Sequence, residues 1–121
     1  MARYHVGCAT WVYHQEDAFH RQGPAAVFDE IARAGYDGVE LPGAYMAERE
    51  RAEEIVALLQ ECNLRLVAVY VGGTYYDAAK TVETMGCVER IACHAELLGR
   101  PFFVTGDRPK PGGPKTAAEL G

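Results

Sequence analysis

The chain has 121 residues, a formal net charge of −5, and 49% hydrophobic against 24% charged residues. That length bounds one domain with room for a real core, and the balance is that of an ordinary globular protein. The acidic excess leaves no basic stripe for nucleic-acid phosphates or an anionic membrane surface, and no apolar run approaches the ~18–20 residues of a membrane span.

The first five residues, Met-Ala-Arg-Tyr-His, lack the apolar core of a signal peptide, so a cytoplasmic location is expected. Residues 4–12, rich in small and β-branched side chains, read as a first strand, and 13–23 as a polar loop. A helix is predicted over 24–34. Pro24 suits its first position, Val27, Phe28, Ile31 and Ala32 form its apolar face, and Gly35 stands where a C-cap is expected. A short apolar strand, 38–41, follows at once and carries one carboxylate, Glu40, near its exit, before Pro42-Gly43.

A second helix is predicted over 47–62, with Glu48, Glu50, Glu53 and Glu54 in its first half and Ile55, Leu58, Leu59 and Cys62 as its buried stripe. The acidic run reads as a solvated face, not a metal site. Asn63 suits a left-handed cap. Residues 64–71 are almost continuously apolar, which predicts a strand covered on both faces, ended by Gly72-Gly73. A third helix is predicted over 78–98, where Val82, Met85, Val88, Ala92, Ala95 and Leu98 step by three or four, and Gly99 terminates it. Residues 101–105 read as a fourth strand, ended by Gly106. The stretch from Asp107 opens as a loop with Pro109, Pro111 and Pro114, and 115–120 reads as the start of a further helix.

The predicted strand centres, Val6, Val39, Val67 and Phe103, lie about 30 residues apart, the repeat length of an eight-unit barrel. The predicted fold class is therefore α/β: parallel (β/α) repeats, four strands with helices outside, half of a TIM (β/α)8 barrel. An open sheet of the flavodoxin type, as in a regulatory domain, is the competing solution, although Ala9-Thr10-Trp11-Val12 stands where a glycine-rich phosphate loop would follow the first strand. The cysteines Cys8, Cys62, Cys87 and Cys93 form no CxxC pair and match no zinc spacing, so reduced, buried thiols are expected.

The joint Ala34-Gly35-Tyr36-Asp37-Gly38-Val39-Glu40-Leu41, with Gly7 to Trp11, Leu64 to Tyr70 and Leu97-Leu98-Gly99, resembles the sugar phosphate isomerase/epimerase family with a xylose-isomerase-like barrel. Within it, the nearest likeness is the inosose dehydratase-like branch. The resemblance implies an enzyme that rearranges a small polyol or sugar, with a divalent metal (Mn, Mg or Co) polarising a carbonyl–hydroxyl pair while carboxylates move a proton on the adjacent carbon. It also implies that the metal ligands lie on the last four strands, outside this chain. No residue here is then assigned as a ligand, and the 121-residue piece alone is expected to be inactive. A lyase of the inosose dehydratase type shares the same first half and is the alternative, as is a non-catalytic half-barrel that binds a ligand or self-associates. Exposed strand edges would let such a half-barrel pair as a homodimer. The expected partner is a small sugar or polyol, not nucleic acid or membrane.

Ligands of parallel β/α proteins bind at the carboxyl ends of strands, which singles out five residues. Glu40 is a contact for substrate hydroxyls, a carboxylate supporting the residues that make such contacts, or a salt-bridge partner of a nearby loop. Trp11 is either an aromatic wall for a sugar or a core aromatic. His14, in the loop above the first strand, either binds a hydroxyl or a phosphate or is solvated. Tyr70 sits near the third strand's exit, before a glycine pair whose amides either cradle an anion or merely turn the chain. Arg108, after the fourth strand, either pairs with a phosphate or carboxylate or is a routine loop arginine. His5, at the bottom face, and His94, on the third helix, read as structural.

Overall fold

The structure is a computed structural model that describes residues 5–114 and 116–120. Tyr4, where the first predicted strand opens, and Lys115, where the last predicted helix opens, lie outside the described residues. Four parallel strands form one sheet in the sequential order β1 (Gly7–Ala9), β2 (Gly38–Pro42), β3 (Arg65–Gly73) and β4 (Phe102–Asp107). Each strand is added beside its predecessor in one direction, without the reversal at the first strand that gives flavodoxin-type sheets their 2-1-3-4-5 order. The helices are α1 (Trp11–Gln15), α2 (Ala18–Gln22), α3 (Pro24–Arg33), α4 (Arg49–Glu61), α5 (Ala78–Ala92) and the short α6 (Ala117–Leu120).

One face of the sheet carries Val39, Leu41, Leu66, Val69 and Val71, all buried in a single apolar cluster with Val27, Phe28 and Ile31 of α3, Ile55 and Leu59 of α4, and Ile91 of α5. The opposite face bears Glu40, Val67, Tyr70, Phe102 and Val104, and the described helices do not cover it: Phe102 is 75% exposed. The expectation that 64–71 is covered on both faces is therefore corrected. In β3 the exposed residues Arg65, Val67 and Tyr70 interrupt the buried ones, with small Ala68 buried beside Val69, because only one layer of helices lies against the sheet. A register shift between Val39 and Glu40 sets Val67 over Gly7 and Gly38 on the uncovered face.

The first predicted strand is also corrected. It ends at Ala9, and Trp11 and Val12 belong to α1. The Thr10 carbonyl accepts from the amides of Tyr13 (3.0 Å) and His14 (3.3 Å), which turns the chain before any β propensity at Thr10-Trp11-Val12 is expressed. The loop expected over 13–23 holds part of α1 and all of α2, the latter anchored by buried Ala18 and Phe19. The predicted helix 78–98 stops at Ala92. Beyond it, His94 and Ala95 donate to carbonyls three residues back, tightening the chain into turns up to Gly99, whose φ of 75° needs no Cβ. Neither glycine signal ends its strand: Gly72 pairs with Gly106 and Gly73 with Asp107. The Tyr70 ring lies across Gly72 and Gly106; a Cβ on Gly106 would stand 2.8 Å from the Tyr70 hydroxyl. The remaining predicted elements, 24–34, 38–41, 47–62 and 101–105, are found with shifts of one or two residues at their ends. All four cysteines are free, but none is fully buried, and Cys93 is exposed, so the expectation of buried thiols is corrected. Among the described residues no helix is long and apolar enough to cross a membrane.

Candidate functional site

The residue that fixes the carboxyl edge of the sheet is Thr10, the buried polar side chain of the described core, 1% exposed. Its amide donates to the Glu40 carbonyl at 3.2 Å, extending the β1–β2 ladder by one residue. Its hydroxyl donates to the same oxygen at 2.8 Å. The hydroxyl proton is thereby committed, so the contact of His14 Nε2 with Thr10 Oγ1, 3.3 Å, has the imidazole N–H as donor. The His14 ring stacks on Phe19 at 4.2 Å and tilts against Tyr45 at 5.5 Å. Burial, with a smaller contribution from the charge of His20, pushes its pKa below the usual 6.5.

A lowered histidine pKa means that the unfolded chain binds the proton more tightly. The stabilisation is complete above the unfolded value near 6.5 and is lost as pH falls through it toward the depressed native value. We expect the urea midpoint to fall between about pH 7.5 and pH 5.5, and to fall less in His14→Gln. Equal falls in the two proteins would refute this account of His14.

Above Thr10 a cavity of about 270 Å³ opens at the sheet's carboxyl edge, lined by Thr10, Trp11, Glu40, Leu41, Pro42 and Tyr70. Trp11 is 62% exposed and Tyr70 37%, so their rings form walls of the opening. The structure thus brings Trp11, Glu40 and Tyr70 together from the exits of three consecutive strands. His14 does not line this cavity; it touches it through Thr10. Arg108 does not line it either. It borders an adjoining cavity of about 340 Å³ that shares Pro42 and Tyr70 with the first. Of the other candidates, His5 lies at the opposite end of the sheet, its Nδ1 3.7 Å from an Asp37 carboxylate oxygen.

Sequence reasoning missed Thr10 and Lys80. The signal for Thr10 was a hydroxyl in an otherwise apolar turn directly after a strand. For Lys80 it was a cation in the first turn of a helix whose cap, Asp77, stands four residues after the end of β3. Among the described residues no three His, Cys, Asp or Glu side chains gather as a metal-ligating group. No step below passes through a metal. No protein-family model matches the chain, and no curated protein does.

Proposed function

We propose that the four-stranded sheet is one half of a xylose-isomerase-like (β/α)8 barrel, and that the intact barrel is an isomerase or epimerase of a small sugar or polyol. The observation that carries this reading is the convergence of Trp11, Glu40 and Tyr70 on one cavity at the carboxyl edge of a sequentially ordered parallel sheet. Each side chain suits a polyol. An exposed indole offers its face to the C–H side of a sugar ring. A carboxylate accepts hydrogen bonds from two adjacent hydroxyls, and charge-assisted bonds of this kind hold orientation as well as affinity. Tyr70 lines the same cavity, and its hydroxyl rests over Gly106 of β4.

The reaction we assign to the whole barrel removes a proton from the carbon next to a carbonyl and returns it at a neighbouring position or on the other face. In the dehydratase-like variant the electron pair instead expels an adjacent hydroxyl as water. In both, the residues of this chain bind and orient the polyol. A reading as a self-associating half-barrel is favoured by one feature, the exposure of Phe102 and Val104 on the uncovered face beside the unpaired edge of β4.

Trp11 is the single tryptophan of the sequence, so its emission reports on this cavity alone. Titration with xylose and with inositol is expected to change that emission saturably, and Glu40→Gln to weaken binding by about tenfold. Glu61→Gln, at the exposed end of α4, serves as the neutral control. No saturable change for either ligand up to ~50 mM, or unaltered affinity in Glu40→Gln, would remove the basis of the proposal.

A further inference from the structure

The carboxyl edge carries three cavities in a row. The first holds Glu40; the second shares Pro42 and Tyr70 with it; the third, about 290 Å³, shares Gly72 and Arg108 with the second. The chemistry changes along the row. The first is lined by one carboxylate and two aromatic rings, whereas the third is lined by Lys80 and Arg108, with Thr74 and the glycine pair beside them.

The two cations are unlike most of the others in this acidic chain. Arg33, Arg49, Arg51, Arg100 and Lys110 each meet a carboxylate within 4.0 Å. Among the described residues, Lys80 and Arg108 form no such pair, and the Thr74 hydroxyl has no hydrogen-bond partner. Arg21, Arg65 and Arg90 also form no carboxylate pair there, Arg21 bonding the Glu16 carbonyl instead, but they line neither this cavity nor its neighbours at the carboxyl edge. Three unengaged donor groups therefore border one cavity at the strand exits. Their backbones are held independently of any ligand: the Arg108 amide donates to the Gly73 carbonyl at 2.9 Å, and the Asp77 carboxylate caps the amides of Ala79 and Lys80. Gly73 itself permits the close packing of α5, since a Cβ there would stand 2.8 Å from Thr84 Cγ2.

Three carboxylates lie nearby. Asp77 is occupied in capping α5, and Asp107 Oδ1 accepts the Tyr75 amide at 3.1 Å. Glu83 is the one that lines the cavity, and it faces two cations there.

We propose that Lys80, Arg108 and Thr74 form a subsite for an oxyanion, the phosphate or carboxylate end of the ligand whose hydroxyls reach Glu40. A guanidinium, an ammonium and a hydroxyl offer the mixed donor set that a tetrahedral phosphate fills most completely. The assignment of both ends to one molecule rests on the polyol reading; the anion subsite itself does not.

The test uses the full chain labelled with 15N and titrated, at constant ionic strength, with inorganic phosphate and separately with acetate. Phosphate is expected to shift the amides of Gly72, Gly73, Thr74 and Arg108 saturably while leaving those of Trp11 and Glu40 in place. Lys80→Gln with Arg108→Gln should weaken phosphate by about tenfold with the spectrum otherwise unchanged, because both backbone amides keep their bonds. Glu83→Gln should tighten it. Acetate acting as strongly as phosphate would identify the source as a carboxylate and still support the subsite. Unsaturable shifts, or shifts indifferent to the double variant, would mean an adventitious ion only and overturn the proposal. A xylose titration read at Trp11 fails or succeeds independently of all these outcomes, so failure of the polyol reading is recognised separately.

Discussion

Phe28→Ala is expected to lower the unfolding free energy by about 3–5 kcal/mol, a large part of the 5–15 kcal/mol typical of a domain. Phe28 is fully buried on α3, in the middle of the cluster between the helices and the sheet. Truncation removes the transfer free energy of a phenyl ring and leaves a cavity inside the buried cluster. The consequence reaches the site. Phe28 packs edge-on against Phe19 at 5.9 Å, Phe19 stacks on His14, His14 donates to Thr10, and Thr10 holds the Glu40 carbonyl. Urea unfolding measures the effect, and Phe28→Leu, which keeps most of the volume, should cost only about 1 kcal/mol. A loss under about 1.5 kcal/mol for the alanine variant would show that this packing is not what sustains the fold.

Gly38→Ala is the second large effect, and it comes from overfilling. A Cβ at Gly38 would stand 2.5 Å from Val67 Cγ2 and 2.6 Å from the Arg65 carbonyl oxygen. A side-chain methyl can rotate away; a backbone carbonyl held in the β2–β3 ladder cannot. The expected cost is roughly 2–3 kcal/mol. Gly86, in the middle of α5, gives the contrast: its Cβ would meet nothing closer than Arg90 Nη1 at 3.8 Å. Gly86→Ala should therefore stabilise by about 0.5–1 kcal/mol, through helix propensity alone. Adding Val67→Ala to Gly38→Ala should recover only part of the loss, since the carbonyl remains in the way. Full recovery would place the whole clash on Val67, contrary to this account.

The reach of the sequence is seen at particular residues. The run from Pro24 through Gly35 to Glu40 was legible because each signal there is local: proline at a first helical position, an apolar stripe at helical spacing, glycine at the cap, then a short strand. Trp11 was misplaced because its conformation is set at a distance. The chain turns into α1 at Thr10, whose carbonyl takes the Tyr13 and His14 amides, while its own amide and hydroxyl are anchored to the Glu40 carbonyl thirty residues on, a bond that no local pattern encodes. Gly72-Gly73 and Gly106 failed as strand ends for a different reason. Gly72 and Gly106 admit a ring from Tyr70, so they mark a close approach, not a break. In β3, composition suggested burial on both faces, but exposure depends on how many layers pack against the sheet. Glu40, Trp11 and Tyr70 were each identifiable as strand-exit residues. Their meeting in one cavity depends on strand order, which spacing suggests and only the sheet register settles.

The measurement closest to the central claim is an amide chemical-shift map of the 15N-labelled chain on addition of xylose or inositol. We predict saturable shifts confined to Thr10, Trp11, Glu40, Leu41 and Tyr70, the backbone that borders the first cavity. Shifts scattered over the helices, or gathered at the opposite end of the sheet around Asn63 and Arg65, would contradict a polyol site at the strand exits.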